Sequence, residues 1–583
     1  MKRIFYLMKK CHSLIKNYFS IVIVFLAIVT YHTSFAISPL PGSVEPGRVP
    51  TNYLPSQNQP PMRPLQPVTA PSEKPTGLGP ESEKIKFKLT KIILQGNHVY
   101  SNAQLLPIYQ NKLNTTISIT EFQNIAQNLT NFYRNTGYIL SRAIIPPQHV
   151  TNGIIQIRII EGYIDKVHII GKARGARSIL LTYGQKIAYS HPTQISIMER
   201  YLRLANEIPG VRVKAILEPS KSKIGASDLN LAVEEKTVNA SFAYDNYGTL
   251  YIGPLQITAA ASVNSIFRSG DSTHITYLAA THGKELHYFD LNYQTPLGSN
   301  GLQGTIGGNQ SLTTPGLTLR PLQTQGIANT YYASMQYPLV RSRSYDLTLD
   351  GGFTYLDSKS TLFNKNFLLY NDHIRPIRFG GTVNFSDRFK GLNSALLHIE
   401  KGLNILGASN NPNSLATSRF GADGIFTKIN GQIARIQPLS GRLSFYTLAQ
   451  LQYSFNPLLS SEQFGFGGSQ VGRGYDPAEI LGDRGAAGTL EFRIDTAPQW
   501  FILQTMQFYA YYDAGVIWNI QNIIGVKQKQ SATSTGFGAR FALSKLISGN
   551  LMYTQVLTKS IASETIIGQG RTPKIYFSLV AAV

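Results

Sequence analysis

The sequence predicts an exported chain of two small α+β units followed by a long antiparallel β region closed as a membrane-spanning barrel. Three observations carry this reading. The first segment has the form of a leader, a strand, helix, strand, strand order occurs twice in succession, and the last ~345 residues show short alternating strands without a convincing amphipathic helix.

The chain has 583 residues and begins with Met1, Lys2 and Arg3, followed by Lys9, Lys10 and Lys16 and an apolar run from Phe19 to Val29. Ser34, Phe35 and Ala36 then precede Ile37, so residues 1–36 read as a secretory signal peptide with its small-residue cleavage site. The run is too short to cross a bilayer comfortably, and no later run approaches ~18 consecutive apolar residues. A chain of this kind that spans a membrane must do so as a closed barrel, because every backbone polar group has to be paired inside lipid.

The single cysteine, Cys11, lies in the leader, which excludes a disulfide framework, a thiolate metal site and a cysteine nucleophile from the exported protein. The formal charge is +22, with five of the positive charges in the leader. Export argues against a nucleic-acid partner for this charge. The charge fits a solvated basic surface, a cationic lumen or contact with anionic lipid headgroups.

Residues 37–83 hold twelve prolines between Pro39 and Pro80 and few aromatics, and are expected as an extended linker without a core. From Phe87 the alternation of Phe87, Leu89, Ile92 and Leu94 ahead of Gly96 and Asn97 predicts strand structure closed by a turn. Ser118, Ile119, Thr120 and Glu121 form a capping box, so a helix is expected from Ile119. Phe122, Ile125, Leu129 and Phe132 line one face of it, and Gly137 supplies its C-terminal cap. Two short strands follow near residues 138–144 and 154–160. The order then repeats with a strand at 166–170, a helix at 195–205 broken by Pro209 and Gly210, and strands at 211–217 and 229–233.

Beyond Thr237 the alternation is that of strands, as in Val238, Ala240, Phe242 and Tyr244, or Ile575, Phe577, Leu579, Ala581 and Val583. Turn clusters such as Arg268 to Ser272 and Pro296 to Gly301 separate the runs at the spacing of transmembrane strands of ~9–11 residues. Periodicity alone leaves a soluble sandwich or propeller open.

The motifs narrow the choice. Tyr133, Arg134, Asn135, Thr136, Gly137 and Tyr138, then Ser141, Pro146, Pro147, Gln148, Gly153, Glu161 and Gly162, resemble the POTRA domain of two-partner secretion transporters, the ShlB-type haemolysin secretion and activation proteins (TpsB). Ile208, Pro209, Gly210 and Val211 with Gly225 to Leu229 are similar to that family's next POTRA domain, and Tyr244 to Gly248 with Gly253 resemble its first barrel hairpin. Glu462, Gln463, Phe464, Gly467 and Gly468, then Gly472, Arg473, Gly474 and Tyr475, resemble the signature loop of the wider outer-membrane protein 85 superfamily. Glu491, Phe492 and Arg493, and Asp513, Ala514 and Gly515, follow in the family's order.

The resemblance implies two periplasmic α+β POTRA domains, at 84–162 and 163–236, before a transmembrane antiparallel β-barrel of 16 strands at 237–583, with the signature loop near 463–485. It implies an outer-membrane location with the POTRA domains in the periplasm, and no cofactor. The implied partners are a secreted exoprotein with an N-terminal secretion domain, outer-membrane lipid, periplasmic chaperones and the barrel assembly machinery. The signature loop, Gly472, Arg473, Gly474 and Tyr475, would place Arg473 against the inner barrel wall at Asp513, with Glu491 a second partner. The planar fork of a guanidinium suits a carboxylate in a confined lumen. Gly137, Tyr138, Pro146, Gln148, Glu161 and Gly162 would be the POTRA motif, expected chiefly to hold the fold. Client capture would use β-augmentation, in which a bare sheet edge pairs with an extended segment.

Three departures stand out. Gly472 occupies the place of the family's usual Val or Ile, with Val471 one position earlier; the chain ends on Val583 and not on an aromatic, which puts the usual assembly signal in doubt; and no plug helix is evident. Catalysis is not expected, since the sequence has neither a zinc-protease nor a serine-elbow motif. Gly467 to Gly474 only approximates a phosphate loop, with Arg473 and Gly474 where Lys and Ser or Thr would be needed. The expected function is export of an unfolded haemolysin-like or adhesin-like exoprotein without ATP. The alternatives are an assembly factor inserting other outer-membrane proteins, or a passive porin or receptor.

Overall fold

The computed structural model describes residues 40–54, 85–281, 283–497, 503–521, 527–565, 568 and 570–583. The leader and most of the Pro-rich segment lie outside the described residues.

The first small unit grows from the capping box. Ser118 Oγ accepts from the Glu121 amide at 3.2 Å, and the Glu121 carboxylate accepts from the Ser118 amide at 3.0 Å, starting the helix Ile119–Asn135. Its apolar face, Phe122, Ile125, Leu129 and Tyr133, packs on Ile92, Leu94, Ile155, Ile157 and Ile159. Those residues come from Lys91–Gln95, which is parallel to Ile154–Ile160. The latter pairs on its other side with Arg142–Ile144, so residues 138–141, expected within that strand, form a turn.

The second unit has the same sheet order. Tyr163–Gly171 runs parallel to the central strand Ala226–Glu235, and Val211–Pro219 is antiparallel to it. Helices Arg177–Ala188 and Ile195–Glu207 cover one face. The first of these helices was not expected from the sequence. No side chain of its own caps it; Glu235, on the central strand, accepts from the Gly175 and Ala176 amides at 3.2 and 3.0 Å instead.

From Val238 the chain is one closed antiparallel barrel. Phe367–Ile374 and Pro376–Ser386 both pair with Tyr345–Leu362 and are one strand interrupted at Arg375, which makes sixteen strands in all. Arg375 is fully buried at that break, bonded to the Leu356 and Ile374 carbonyls and to Asp357, with its guanidinium 3.4 Å from the centre of the Tyr355 ring. Outward positions such as Phe379, Leu397, Ile433 and Leu451 are each more than half exposed, while inward neighbours such as Tyr288, Asp290, Ser358 and Asp513 are buried. This is the alternation of a lipid-facing wall. The seam between first and last strands is short, from Asp245 opposite Ser578 to Ser241 opposite Ala582. Val583 extends it through mutual backbone bonds with Ala240, so the non-aromatic terminus still closes the barrel.

The second unit seats on the near-end turns of the barrel. Arg200 donates to the Leu339 and Asn300 carbonyls, Arg203 pairs with Asp346, and Arg341 pairs with Glu207. The loops around 403–426 and 455–483, and the described residues 519–521, 527–528, 557–565 and 570–573, therefore lie at the far end.

A further expectation is overturned. Residues 40–54, read as extended linker, fold as helical turns Gly42–Val44, Pro46–Arg48 and Val49–Tyr53. Their prolines do not prevent this, because Pro46 and Pro50 sit in first turns, where a missing N–H costs nothing. The segment lacks a core of its own and borrows one: Val44 and Val49 are buried against Tyr251, Ile252, Leu278 and Tyr288 of the barrel.

Replacing Ser118 by Ala removes one reciprocal bond of the capping box and is expected to weaken the first unit by about 1 kcal/mol. Faster amide hydrogen exchange in residues 119–125 than in 129–135 is the expected signature.

Candidate functional site

The signature loop leaves the wall after Leu443–Ser454 and returns at Arg484–Thr496, folding back through a short ladder between Phe464–Phe466 and Ile480–Gly482. Its apolar residues Phe466, Val471, Tyr475 and Ile480 pack against Ala487, Ile517, Ala532 and Val556 of the inner wall. The wall makes room with glycine: a Cβ at Gly515 would stand 2.1 Å from the Phe466 ring, and one at Gly485 2.0 Å from the Phe464 ring. Asp513 and Gly515 thus work as a pair two residues apart on one strand, the first holding the loop and the second admitting it.

Arg473 is 5 % exposed and Asp513 is fully buried. Asp513 Oδ2 accepts from the Gly472 amide at 3.0 Å, the Arg473 amide at 2.8 Å and Arg473 Nε at 3.1 Å, while Oδ1 accepts from Nη2 at 2.9 Å. Arg473 Nη1 reaches Glu491 at 2.6 Å, Nη2 reaches Thr489 at 2.5 Å, and the guanidinium lies 3.5 Å from the Tyr511 ring centre. Burial alone would push the guanidinium pKa down, but Asp513 and then Glu491 hold it above its ordinary value. Glu491 is shared with Arg493 and Arg540, both at 2.7 Å.

The Gly472 departure has a steric cause. Its φ is +81°, and a Cβ there would fall 2.8 Å from the Phe466 ring and 2.9 Å from the Gly467 amide nitrogen. The displaced apolar residue, Val471, is buried. Tyr475 donates to the Thr533 carbonyl at 3.0 Å.

Beyond Tyr475 the loop meets the far-end residues 557–565. Asp476 accepts from Ser563, and Glu479 accepts from Lys559 at 3.1 Å and from the Ala562 amide at 3.0 Å. Burial, then the nearby Asp476, push Glu479 up to about 7 although Lys559 opposes this.

The segment 40–54 obstructs the lumen beside this loop. Glu45 accepts from Tyr370 at 2.7 Å and from Ser358 at 3.1 Å. Arg48 Nη1 donates to the carbonyls of Gln463, Ser460 and Ser461 at 2.6, 3.2 and 3.4 Å, at the start of the signature loop. The sequence reading missed Glu45, Arg48, Arg493 and Arg540 as site residues. A glutamate and an arginine three residues apart within a Pro-rich stretch are the only local trace of the plug.

The small-unit motif residues sit apart from the lumen. Glu161 accepts from the His98 and Val99 amides, both at 2.8 Å, and from Tyr133 at 3.0 Å. Gln148 pairs both edges of its amide with the Gln156 backbone, at 2.7 and 2.8 Å, standing in for a strand where Arg142–Ile144 stops. Pro146 gives its carbonyl to Gln148. The Gly137 carbonyl accepts from Ile195, Tyr138 from Gln194, and the Gly162 carbonyl from Thr193, so these three residues join one unit to the next. A Cβ at Gly162 would meet the Leu140 carbonyl oxygen at 2.3 Å.

Residues 225–541 match the family model for the haemolysin secretion/activation protein ShlB/FhaC/HecB, and residues 87–162 match that for the ShlB-type POTRA domain. The heme/hemopexin transporter protein HuxB of Haemophilus influenzae (strain 86-028NP) is 22 % identical over 79 % of this chain and 82 % of its own length. The outer membrane transporter CdiB of Dickeya dadantii (strain 3937) is 22 % identical over 70 % of this chain and 72 % of its own. Among solved structures, CdiB from Escherichia coli superposes with a TM-score of 0.68 at 18 % identity, covering 89 % of this chain and 94 % of that one. CdiB from Acinetobacter baumannii gives 0.59 at 17 % identity with the same coverage.

Arg473→Ala leaves two buried carboxylates short of a partner and is expected to destabilise the closed barrel by about 3–5 kcal/mol. Arg473→Lys is expected to recover little of that loss, since an ammonium lacks the fork. The temperature at which the detergent-solubilised barrel loses its compact electrophoretic form measures both. A second expectation concerns pH. Glu479 seated holds its proton up to about 7, whereas released and solvated it would titrate near 4.5, so seating tightens as pH falls from about 7 to 4.5 and is constant above that window. Hydrogen exchange of residues 557–565, corrected for intrinsic rates, should slow between pH 8 and pH 5.

Proposed function

We propose that this chain, which belongs to the haemolysin secretion/activation protein family ShlB/FhaC/HecB and is an outer-membrane transporter of two-partner secretion, captures its exoprotein unfolded through its periplasmic units and threads it through the barrel without ATP. The single observation that carries the reading is a closed barrel whose lumen is filled by removable parts of its own chain. The signature loop and residues 40–54 are held by polar bonds and short apolar patches. Neither is a wall strand, so both can leave without opening the barrel.

Residues 163–236 are, on this proposal, a second POTRA domain that receives the client along its sheet edge. Strand Val211–Pro219 pairs on one side only, with Ala226–Glu235, and beyond Val213 its outer edge offers backbone donors and acceptors. At Val213 that edge is already used: Asn206 accepts from its amide at 2.9 Å and donates to its carbonyl at 3.1 Å. A client strand would begin past that point. Folding of the client outside the cell would supply the free energy, and chaperones and the barrel assembly machinery would act before the transporter does. Arg473, Asp513 and Glu491 would set the resting position of the signature loop, and the POTRA motif residues would hold the receiving surface.

Secretion of the cognate exoprotein, or of its N-terminal fragment, is expected to be abolished by deletion of residues 84–236 and reduced at least several-fold by Arg473→Ala, with the barrel still inserted. Unchanged secretion in both, with general loss of other outer-membrane proteins, would replace this reading by that of an assembly factor.

A further inference from the structure

Among the described residues Arg48 hydrogen-bonds to no side chain of its seat; it donates to three main-chain carbonyls, those of Ser460, Ser461 and Gln463, and the Glu462 carboxylate of the same stretch attracts it without a direct bond. Its hold on the lumen segment is therefore only as good as the positioning of that short stretch of backbone. Two sets of groups position it: from the wall, Lys428 donates to the Glu462 carbonyl at 3.1 Å and pairs with its carboxylate at 2.5 Å while Gln452 donates to the same carbonyl at 3.1 Å, and at the neck of the loop a second buried ion pair fixes where the stretch begins.

Asp483 closes the neck of the signature loop. It is fully buried, and all four of its acceptor positions are used. Oδ1 accepts from the Leu458 amide at 2.8 Å and from Arg419 Nη1, while Oδ2 accepts from Arg419 Nη2 at 3.1 Å and from the Ile520 amide at 2.8 Å. Arg419, from the far-end loop 403–426, adds a bond to the Leu458 carbonyl at 3.1 Å and one to Asn519 at 3.3 Å. Its neighbour Ser418 accepts from the Ser460 amide at 3.0 Å. One carboxylate thus ties both ends of the signature loop, Leu458 and Asp483, to two other far-end loops. The stretch from Leu458 to Gln463 starts at this tie, and its Ser460, Ser461 and Gln463 carbonyls are the ones that face Arg48. A bidentate guanidinium–carboxylate pair fixes orientation as well as distance, which a seat made of carbonyls requires.

Resting on the reading of residues 40–54 as a removable plug, we infer that Asp483, clamped by Arg419, is a positioning residue of the gate: it builds the carbonyl seat of Arg48 and so sets how firmly the plug is held. The clamp lies at the far end, between loops that an emerging client must part. Separating the loop 403–426 from residues 519–521 pulls on both partners of the clamp, so parting of the exit loops and release of the plug are coupled.

The test uses the full chain with Gly47→Cys and Ser461→Cys. A Cβ at Gly47 would lie 3.0 Å from the Ser461 Cβ, so slight relaxation brings the pair to disulfide separation, and the native Cys11 falls in the expected leader. In the otherwise intact protein, mild oxidation should join plug to loop rapidly. Arg419→Ala and Asp483→Asn should each slow cross-linking at least several-fold and raise the open fraction of single channels in planar bilayers. Arg419→Lys, which keeps the charge but loses the fork, should fall between. Heat-modifiable electrophoretic mobility identifies barrels that have closed; if Arg419→Ala fails to form one, Asn519→Ala, which removes the outer bond to Arg419 together with those to Gln463 and the Lys527 carbonyl, should show the same direction at smaller size. Cross-linking and channel opening unchanged in clamp variants with closed barrels would overturn the inference. Secretion is read separately: intact protein that exports no client, while the clamp variants still unseat the plug, would defeat the transport proposal and leave this one standing.

Discussion

The bond set around Arg473 is the constraint on which the barrel interior depends. A charge carried away from water must be matched where it stops, and here three guanidinium groups, Arg473, Arg493 and Arg540, meet two carboxylates, Asp513 and Glu491. The excess positive charge is absorbed by ring faces: Tyr511, Tyr446 and Tyr509 lie 3.5, 4.1 and 4.0 Å from the three guanidinium carbons. The cluster also pins the wall. Asp513 faces the lumen in the observed register of Thr505–Trp518, and a slip of one residue would turn that carboxylate to lipid and close the space that Gly515 leaves for Phe466. Loop seating and strand register therefore specify each other.

A sixteen-stranded barrel is too wide for its own inward side chains to fill. This chain closes the space with two segments held in different ways. The signature loop is fixed by side-chain ion pairs and an apolar patch, and the helical turns 40–54 by one arginine on backbone carbonyls, one glutamate on two hydroxyls, and the cluster around Val44 and Val49. The bonds of the second kind are made to groups that water can satisfy equally well, so breaking them leaves no orphaned charge in the wall provided both Glu45 and Arg48 leave together.

Much of the architecture was legible in the sequence because it is written in short-range terms. The capping box at Ser118 and Glu121, the helical stripe from Phe122 to Phe132, the strand alternation after Thr237 and the order of Arg473, Glu491 and Asp513 each occupy a few adjacent residues or a fixed sequence of motifs. What was not legible depends on partners far along the chain. The helix Arg177–Ala188 has its cap supplied by Glu235, some sixty residues away, and carries no cap of its own. Residues 40–54 looked like linker because their apolar residues match no period, and their burial is conferred by the barrel. Asp483 and Arg419 are ordinary letters in two surface loops until the fold brings them together. The strand interrupted at Arg375 was hidden in a similar way, since Arg375 and Pro376 break a run that the barrel nonetheless treats as continuous.

The covalent attachment of residues 40–54 to the periplasmic units has a kinetic consequence. Thirty residues, 55 to 84, join the plug to the first unit. However they are arranged, they reach no farther than roughly 100 Å. One copy confined within such a radius is present at about 0.4 mM or more, independent of how dilute the protein is in the membrane. On the reading of residues 40–54 as a removable plug, reclosure is thus a first-order event on a leash, with no second molecule to await, and the pore carries its own stopper at a concentration that the cell does not have to maintain.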